Sequence, residues 1–366
     1  MSKKVMLMAG GTGGHVFPAL SIAQALQAQG HSVGWLGTRQ GLEARVVPAA
    51  GIPLFFLTIA GIRGAGLKFK LLAPFIIIMA IYQALVILRR EKPDVVLGMG
   101  GFASGPGGVA AFLLRIPLII HEQNAIPGLT NRLLAKVAKR VLQGFANSFA
   151  PSYKAITTGN PIRANIVAIA APEQRLLQRQ APLRILILGG SQGALSLNEL
   201  VPAALAGLSR QSAVEVRHQT GVKYQTLTQE KYNNLELSVS VEAFIEDMAD
   251  AYAWADLLIC RSGALTVAEI MATGVASILI PFPYAVDDHQ RANAEILAQN
   301  DAAILINQAE CDSQHLTTLL EDLVAHPQKL VQMAIAARHL SAKDATVQVV
   351  QHCLALTTDN SKENSK

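Results

Sequence analysis

The sequence predicts an α/β protein built as two similar domains, each a parallel sheet wrapped by helices. Three observations predict it. Short apolar runs alternate with helix-forming stretches along the chain, the pattern of a parallel sheet with crossover helices. Two of these runs open alike: KVMLMAGGTG from Lys4 lays onto RILILGGSQG from Arg184, basic residue on basic residue, with both ending in glycine-rich turns. The composition, 51% hydrophobic and only 5% aromatic over 366 residues, supplies two cores without the aromatic load of a sandwich.

Strands are expected at 4–9, 32–36, 94–98 and 117–121, and again at 184–188, 214–218, 256–260 and 277–281. A repeated strand–glycine turn–helix opening means two domains, each able to bind a ligand at the carboxyl ends of its strands. The stretch 161–182, PIRANIVAIAAPEQRLLQRQAP, has proline near both ends and reads as the linker, dividing the chain into 1–161 and 162–339. The polar tail after Thr357 reads as frayed.

Charge is unevenly placed. Residues 1–161 hold 16 Lys and Arg against 4 Asp and Glu, and the remainder 15 against 22. Such a contrast points the first half toward an anionic partner: a membrane surface, a nucleic acid or a pyrophosphate. Basic stripes interleaved with aromatics are absent, so nucleic acid is not expected. The three cysteines, Cys260, Cys311 and Cys353, form no CxxC, which favours a reducing cytoplasm over a disulfide framework. No signal peptide is visible ahead of the first strand.

Residues 71–88, LLAPFIIIMAIYQALVIL, carry no charge and are flanked by Lys68, Lys70, Arg89 and Arg90. Length alone admits a membrane span. A span would put strands 4–9 and 94–98 on opposite sides of a bilayer, although both belong to one sheet. A buried crossover helix and a surface helix docked on lipid headgroups are the other readings; the second uses the flanking cations and exposes residues such as Phe75 and Ile78.

The loops carry the chemistry. Gly11-Thr12-Gly13-Gly14-His15-Val16 lacks the third glycine of a dinucleotide fingerprint, and HSVGWLG ends without the acidic residue that holds an adenosine ribose, so NAD is disfavoured. No Walker pattern occurs. What remains is a glycine turn at a helix start with His15 beside whatever binds there. GGSQGALSLN offers Ser191 and backbone N–H groups at another helix start, suited to a diphosphate. CRSGALTVAE puts Glu269 in the second turn of a helix, where it either holds ribose hydroxyls or is merely solvated. PFPYAVDDHQRANA places His289 and Gln290 where they either meet sugar hydroxyls or, through Asp287 and Gln290, form a capping box. HEQNAIPGLTN puts His121, Glu122 and Asn124 at a strand end. No Asp-x-Asp and no paired zinc-helix histidines occur, so no metal site is expected. GxSxG is absent, which excludes a serine hydrolase of that type.

Taken together, GGTGGHVFPAL, PDVVLGMGGFASGPGG, HEQNAIPGLTN, GNPIR, GGSQGA, CRSGALTVAE and DDHQRANA resemble, in order and from about residue 4 to about 350, the MurG family of N-acetylglucosaminyltransferases. The resemblance implies two Rossmann-like domains facing across a cleft, the GT-B arrangement, with a last helix over 340–357 packing back on the first domain. It implies an inverting transfer of GlcNAc from UDP-GlcNAc to the 4-hydroxyl of MurNAc in undecaprenyl-pyrophosphoryl-MurNAc-pentapeptide, with no cofactor. It also implies a peripheral enzyme on the cytoplasmic face of the bacterial inner membrane, beside an anionic surface and other cell-wall synthesis proteins.

Carried onto matching positions, Ser191 and Arg163 hold the diphosphate and Glu269 the ribose. The backbone at Phe244 and Ile245 reads uracil. Asn124, His289 and Gln290 contact GlcNAc, and Ala264, Leu265, Thr266, Val267 and Ala268 form the helix start under the donor. Thr12, Gly13 and Gly14 close over it. His15 is the first choice for the base on the acceptor hydroxyl, because imidazole titrates near neutrality. His121 and Glu122 are the other two choices. An isomerase of the UDP-GlcNAc epimerase kind and a non-catalytic nucleotide-sugar-binding scaffold are the alternatives to a transferase.

Overall fold

Each of the eight expected strands is a parallel strand in a computed structural model of the chain. The structure describes residues 2–59, 67–176, 179, 181–190, 193–208 and 213–363, without side chains at 67–71, 286 and 358–363. The chain divides into two units. Unit 1 is Met1–Arg163 with Ala342–Lys366, and unit 2 is Ala164–Ser341.

Unit 1 runs β1 (Lys4–Met8), α1 (Gly13–Ala28), β2 (Ser32–Gly37), α2 (Glu43–Ala49), β3 (Leu54–Phe56), α3 (Leu67–Glu91), β4 (Val95–Gly98), α4 (Ser104–Leu113), β5 (Leu118–Glu122), α5 (Leu129–Leu134), β6 (Arg140–Gln143) and β7 (Ile156–Thr157). Its sheet is ordered β3-β2-β1-β4-β5-β6-β7, and every strand pair in it is parallel. Alternation along β1 feeds two layers. Val5 and Leu7 join Ile22 of α1, while Met6 and Met8 join Ala84 and Leu88 of α3 and Ala110 of α4.

Unit 2 begins with α6 (Ala164–Val167) and α7 (Pro172–Leu176). It continues β8 (Leu183–Leu188), α8 (Leu195–Ala206), β9 (Val214–Gln219), α9 (Gln225–Tyr232), β10 (Ser238–Glu242), α10 (Met248–Trp254), β11 (Leu257–Cys260), α11 (Ala264–Thr273) and β12 (Ala276–Leu279). It ends with α12 (His289–Ala298), β13 (Ile304–Leu305), α13 (Ser313–Ala325) and α14 (Pro327–His339). Its parallel sheet is ordered β10-β9-β8-β11-β12-β13. The last helix, α15 (Ala345–Glu363), returns to unit 1, where Val349, Val350, Cys353 and Leu356 complete the layer over α1.

One expectation changes. Residues 161–182 are not a free linker, because they hold α6 and α7. Arg175 pins the segment to unit 2 by donating to the carbonyls of Ala170, Tyr252, Ala253, Thr273 and Gly274. Burial lowers its pKa to about 10.

For the apolar segment the fold carries the objection to a span already raised from the sequence. β3 and β4 flank α3 and lie in one sheet, which a span would have to divide. α3 turns three alanines, Ala73, Ala80 and Ala84, and Leu88 inward, whereas Leu72, Phe75, Ile78, Met79 and Tyr82 are exposed. Burying a large aliphatic or aromatic side chain is worth about 2 kcal/mol. A helix that exposes several of them leaves that free energy for something outside the fold.

Candidate active site

In each sheet the strand order reverses at the first strand of its unit, between β1 and β4 in unit 1 and between β8 and β11 in unit 2. Loops at such a switch point bind ligands outside the carboxyl ends of the strands. The loops singled out in the sequence leave those strands: 9–12 after β1, 189–194 after β8 and 261–263 after β11.

In unit 1, α1 starts at Gly13 with Thr12 as its N-cap, and the Thr12 side chain makes no cap hydrogen bond. The first N–H groups of a helix have no partner within it, so Gly13 and Gly14 present donors at a positive helix end. Ahead of them the Gly11 N–H donates to Glu43, which is fully buried and also accepts from the Thr38 N–H and hydroxyl. The chain's own carboxylate thus occupies part of the glycine turn, and anion binding there falls to the start of α1.

His15 is half-buried, with Nδ1 3.0 Å from Gln123 Oε1. The loop after β4 reaches the same ring. A Cβ on Gly100 would stand 2.9 Å from His15 Cε1 and Nδ1, and Gly100 has φ +95°, so glycine is required twice over.

The other two base choices are corrected. His121 is 0% exposed, its Nε2 3.0 Å from the Gly159 carbonyl oxygen and its Nδ1 3.2 Å from Gln123 Nε2. Burial lowers its pKa to about 4. Both nitrogens are occupied and no acceptor hydroxyl reaches them. Glu122 is also buried, and its carboxylate accepts from the Asn124 N–H and side-chain amide, the Gly128 N–H and the Asn131 amide. Four donors spend it on shaping the loop. Asn124 is half-buried within that loop, and its carbonyl accepts from Ser148. Arg163 closes unit 1 with its guanidinium 5.7 Å from the Phe17 ring centroid.

In unit 2, α11 begins at Ala264 with Gly263 as its N-cap, and no side chain caps the first turn through Thr266 and Val267. Glu269 is buried in the second turn and accepts from the Tyr252 hydroxyl at 2.9 Å. A solvated helix carboxylate is therefore ruled out. Phe244 is exposed, whereas Ile245 is buried and its N–H already donates to Gln219 Oε1. Gln290 accepts from the Phe282 N–H. The N-cap of α12 is Asp288, in the left-handed region at φ 52°, and its side chain forms no cap bond, so the capping-box alternative, which needs Asp287 as the N-cap, is not the one adopted. His289 is the first residue of α12. Ser191 lies outside the described residues.

Residues 5–143 match the glycosyltransferase family 28 N-terminal domain and residues 184–349 its C-terminal domain. The UDP-N-acetylglucosamine–N-acetylmuramyl-(pentapeptide) pyrophosphoryl-undecaprenol N-acetylglucosamine transferase of Alkalilimnicola ehrlichii is 52% identical over 97% of this chain and 99% of its own length. The transferase of the same name from Methylococcus capsulatus is 51% identical over 97% and 99%. A crystal structure of Acinetobacter baumannii MurG superimposes with a TM-score of 0.82 at 42% identity, covering 96% of this chain and 99% of that one. The chain belongs to the MurG family. Its fold is that of a GT-B glycosyltransferase.

Three positions that brace the loops of this MurG-family chain escape sequence reasoning. Glu43 braces the first glycine turn from thirty residues away. Gln123 stands between His15 and His121. Arg261, just after β11, donates to the Ile280 and Pro281 carbonyls, to Ser196 and to Gln308, and so ties its own loop to the end of β12, the start of α8 and the segment after β13. Only Arg261 left a signal, as a cation inside an otherwise small and polar turn.

Of the expected membrane-facing residues, Phe75 is 71% and Ile78 64% exposed. Arg89 is exposed as well. Arg90 does not stand free: it pairs with Glu91 and lies 5.4 Å from the Phe55 ring centroid. The Lys68 and Lys70 side chains lie outside the described residues. Neighbouring helices add Phe112 and Leu113 of α4 and Leu129 and Leu133 of α5 to the exposed apolar residues, with exposed cations at Arg115, Arg132 and Lys136. Among the described residues no three His, Cys, Asp or Glu side chains gather as metal ligands.

Proposed function

We propose that this chain transfers GlcNAc from UDP-GlcNAc to the 4-hydroxyl of MurNAc in undecaprenyl-pyrophosphoryl-MurNAc-pentapeptide, with inversion. The observation that carries the reading is full-length similarity to transferases of that name, at 52% identity over 97% of the chain. The loops add chemistry to it. Unit 2 supplies the donor site: the α11 N-terminus and Ser191 for the diphosphate, Glu269 for the ribose, the Ile245 carbonyl with Phe244 for the uracil, and His289 and Gln290 for the sugar. From the resemblance, Asn124 is assigned to the sugar, Arg163 to the diphosphate and His15 to the acceptor.

In the chemical step His15 Nε2 takes the hydroxyl proton as the acceptor oxygen bonds to the anomeric carbon. The carbon–oxygen bond to UDP breaks with its electron pair on the diphosphate. Helix-end N–H groups and Arg163 stabilise that charge, and the imidazolium then returns its proton to water.

The test is UDP release from UDP-GlcNAc with and without the lipid-linked muramyl-pentapeptide. A transferase releases UDP only with the acceptor, and the product carries a new β-1,4-linked disaccharide. Release that ignores the acceptor removes the transferase reading; conversion of UDP-GlcNAc to an isomeric UDP-sugar without release supports the epimerase-like reading, and binding of UDP-GlcNAc with neither release nor conversion supports a scaffold.

The acceptor is lipid-borne, so the enzyme has to work at a bilayer, and the exposed face of α3 with its neighbours on α4 and α5 is the docking surface we assign. Phe75→Glu combined with Ile78→Glu is expected to weaken co-sedimentation with vesicles containing anionic lipid by at least about 10-fold, since each side chain forfeits about 1 kcal/mol or more of apolar transfer. Turnover on a short-chain, water-soluble acceptor should be unchanged. Undiminished sedimentation would move the docking face elsewhere.

A further inference from the structure

A run of hydrogen bonds in unit 1 starts at the candidate base and ends on a backbone carbonyl, and its proton positions follow from the atoms at its ends. Gln123 is buried at 1% exposure. Its Nε2 lies 3.2 Å from the carbonyl oxygen of His121 and 3.2 Å from His121 Nδ1. A carbonyl can only accept, so the amide end facing it is the NH2 and the other end, facing His15, is the oxygen. An amide oxygen also only accepts. His15 Nδ1, 3.0 Å away, therefore carries a proton and donates it.

The far end agrees. His121 Nε2 lies 3.0 Å from the carbonyl oxygen of Gly159, so that nitrogen is the donor. In a neutral imidazole Nδ1 is then the bare acceptor, ready for the second amide hydrogen of Gln123. Burial, which holds the His121 pKa at about 4, keeps that ring neutral throughout the neutral range. Each donor meets an acceptor and no step conflicts. The main chain of Gln123 is held as well, its carbonyl accepting from Asn160. Gly100 closes the other side of the His15 ring.

We propose that Gln123 is a positioning residue that fixes His15 as its Nδ1–H tautomer, leaving the Nε2 lone pair for the acceptor hydroxyl. The inference rests on the reading of His15 as the base. His121, a base candidate on sequence grounds, becomes the anchor that orients Gln123. The logic is that of a histidine base held by a group behind it, with a neutral amide in the place a carboxylate takes in the serine-hydrolase triad. With an amide there, the arrangement selects a tautomer without adding a buried charge.

The decisive measurement needs no substitution. In histidine-15N-labelled protein at mildly alkaline pH, long-range 15N–1H correlation spectra, with His15 and His121 assigned through His15→Gln and His121→Gln, should show His15 protonated at Nδ1 and His121 at Nε2. Finding the His15 proton on Nε2 overturns the proposal whichever residue is the base. Gln123→Met keeps the side-chain volume and removes both hydrogen bonds. It should leave His15 as a mixture of tautomers and lower kcat by about 10- to 100-fold, with KM for both substrates within about twofold of wild type. An unchanged kcat in Gln123→Met beside an inactive His15→Ala overturns the relay and spares the base. Unchanged kcat in both variants overturns the base reading itself.

Discussion

His15→Ala should lower kcat by about 10²- to 10⁴-fold, the range a positioned general base contributes, while the affinity for UDP changes by less than about threefold. The asymmetry follows from what the imidazole touches. Its one hydrogen bond among the described residues runs to Gln123 in unit 1. Of the groups assigned to the nucleotide, Glu269, Ile245 and the start of α11 belong to unit 2, and Arg163 of unit 1 is assigned to the diphosphate through a side chain separate from His15. A residue that meets only the reacting hydroxyl contributes in the transition state and not to nucleotide binding. Steady-state kinetics with the lipid-linked acceptor, together with calorimetric titration of UDP, separates the two quantities. Comparable losses in both would reduce His15 to a structural part of the α1 start. His15→Gln, which keeps a polar group near Gln123 without a titratable base, should match the alanine variant in kcat.

The strands nearest the site were legible because parallel strands buried on both faces read as unbroken apolar runs. β1, β4, β8 and β11 all start and stop within one or two residues of expectation. The strands that left no signal lie toward the sheet edges, and three of them are very short: β3 (LFF), β7 (IT) and β13 (IL). Two or three residues long and nowhere fully buried, such segments carry little pattern.

The site divided in the same way. His15 could be picked out because glycines beside it marked a turn at a strand end. Gln123 could not, because a neutral amide acquires meaning only from the two histidines that the fold brings to it. His121 and Glu122 looked like bases because nothing local reveals burial. In the fold each is enclosed by hydrogen-bond partners, several of them far off in sequence, such as Gly159 against His121. The α3 segment misled in another way: an apolar run reports hydropathy but not size, and here alanine faces inward while phenylalanine and isoleucine face out.

Stability should fall steeply below neutral pH, through two buried imidazoles in separate units. His121 in unit 1 has its pKa lowered to about 4 and His218 in unit 2 to about 3, both by burial, against 6.5 for the free side chain. His218 is held like His121. Asn198 donates to the Thr220 carbonyl, which turns its Oδ1 toward His218 Nε2, while Nδ1 faces the Tyr232 hydroxyl at 2.9 Å. Each ring is therefore neutral when folded, with both nitrogens committed.

As pH falls through 6.5 the unfolded chain takes up protons that the folded rings refuse, so unfolding is favoured. The stabilisation is complete above about pH 6.5 and is lost progressively toward pH 4 for His121 and pH 3 for His218. Linkage puts the loss between pH 7 and pH 5 at about 2 kcal/mol for each ring. Chemical denaturation followed across that interval should show the slope, and His121→Gln should flatten it for unit 1 alone. In place of His218, glutamine can still donate to Asn198 and accept from Tyr232, so His218→Gln should flatten the slope for unit 2 with little cost at pH 7. If both variants keep the wild-type pH dependence, the acid sensitivity comes from other groups and the two imidazoles already take up protons in the fold.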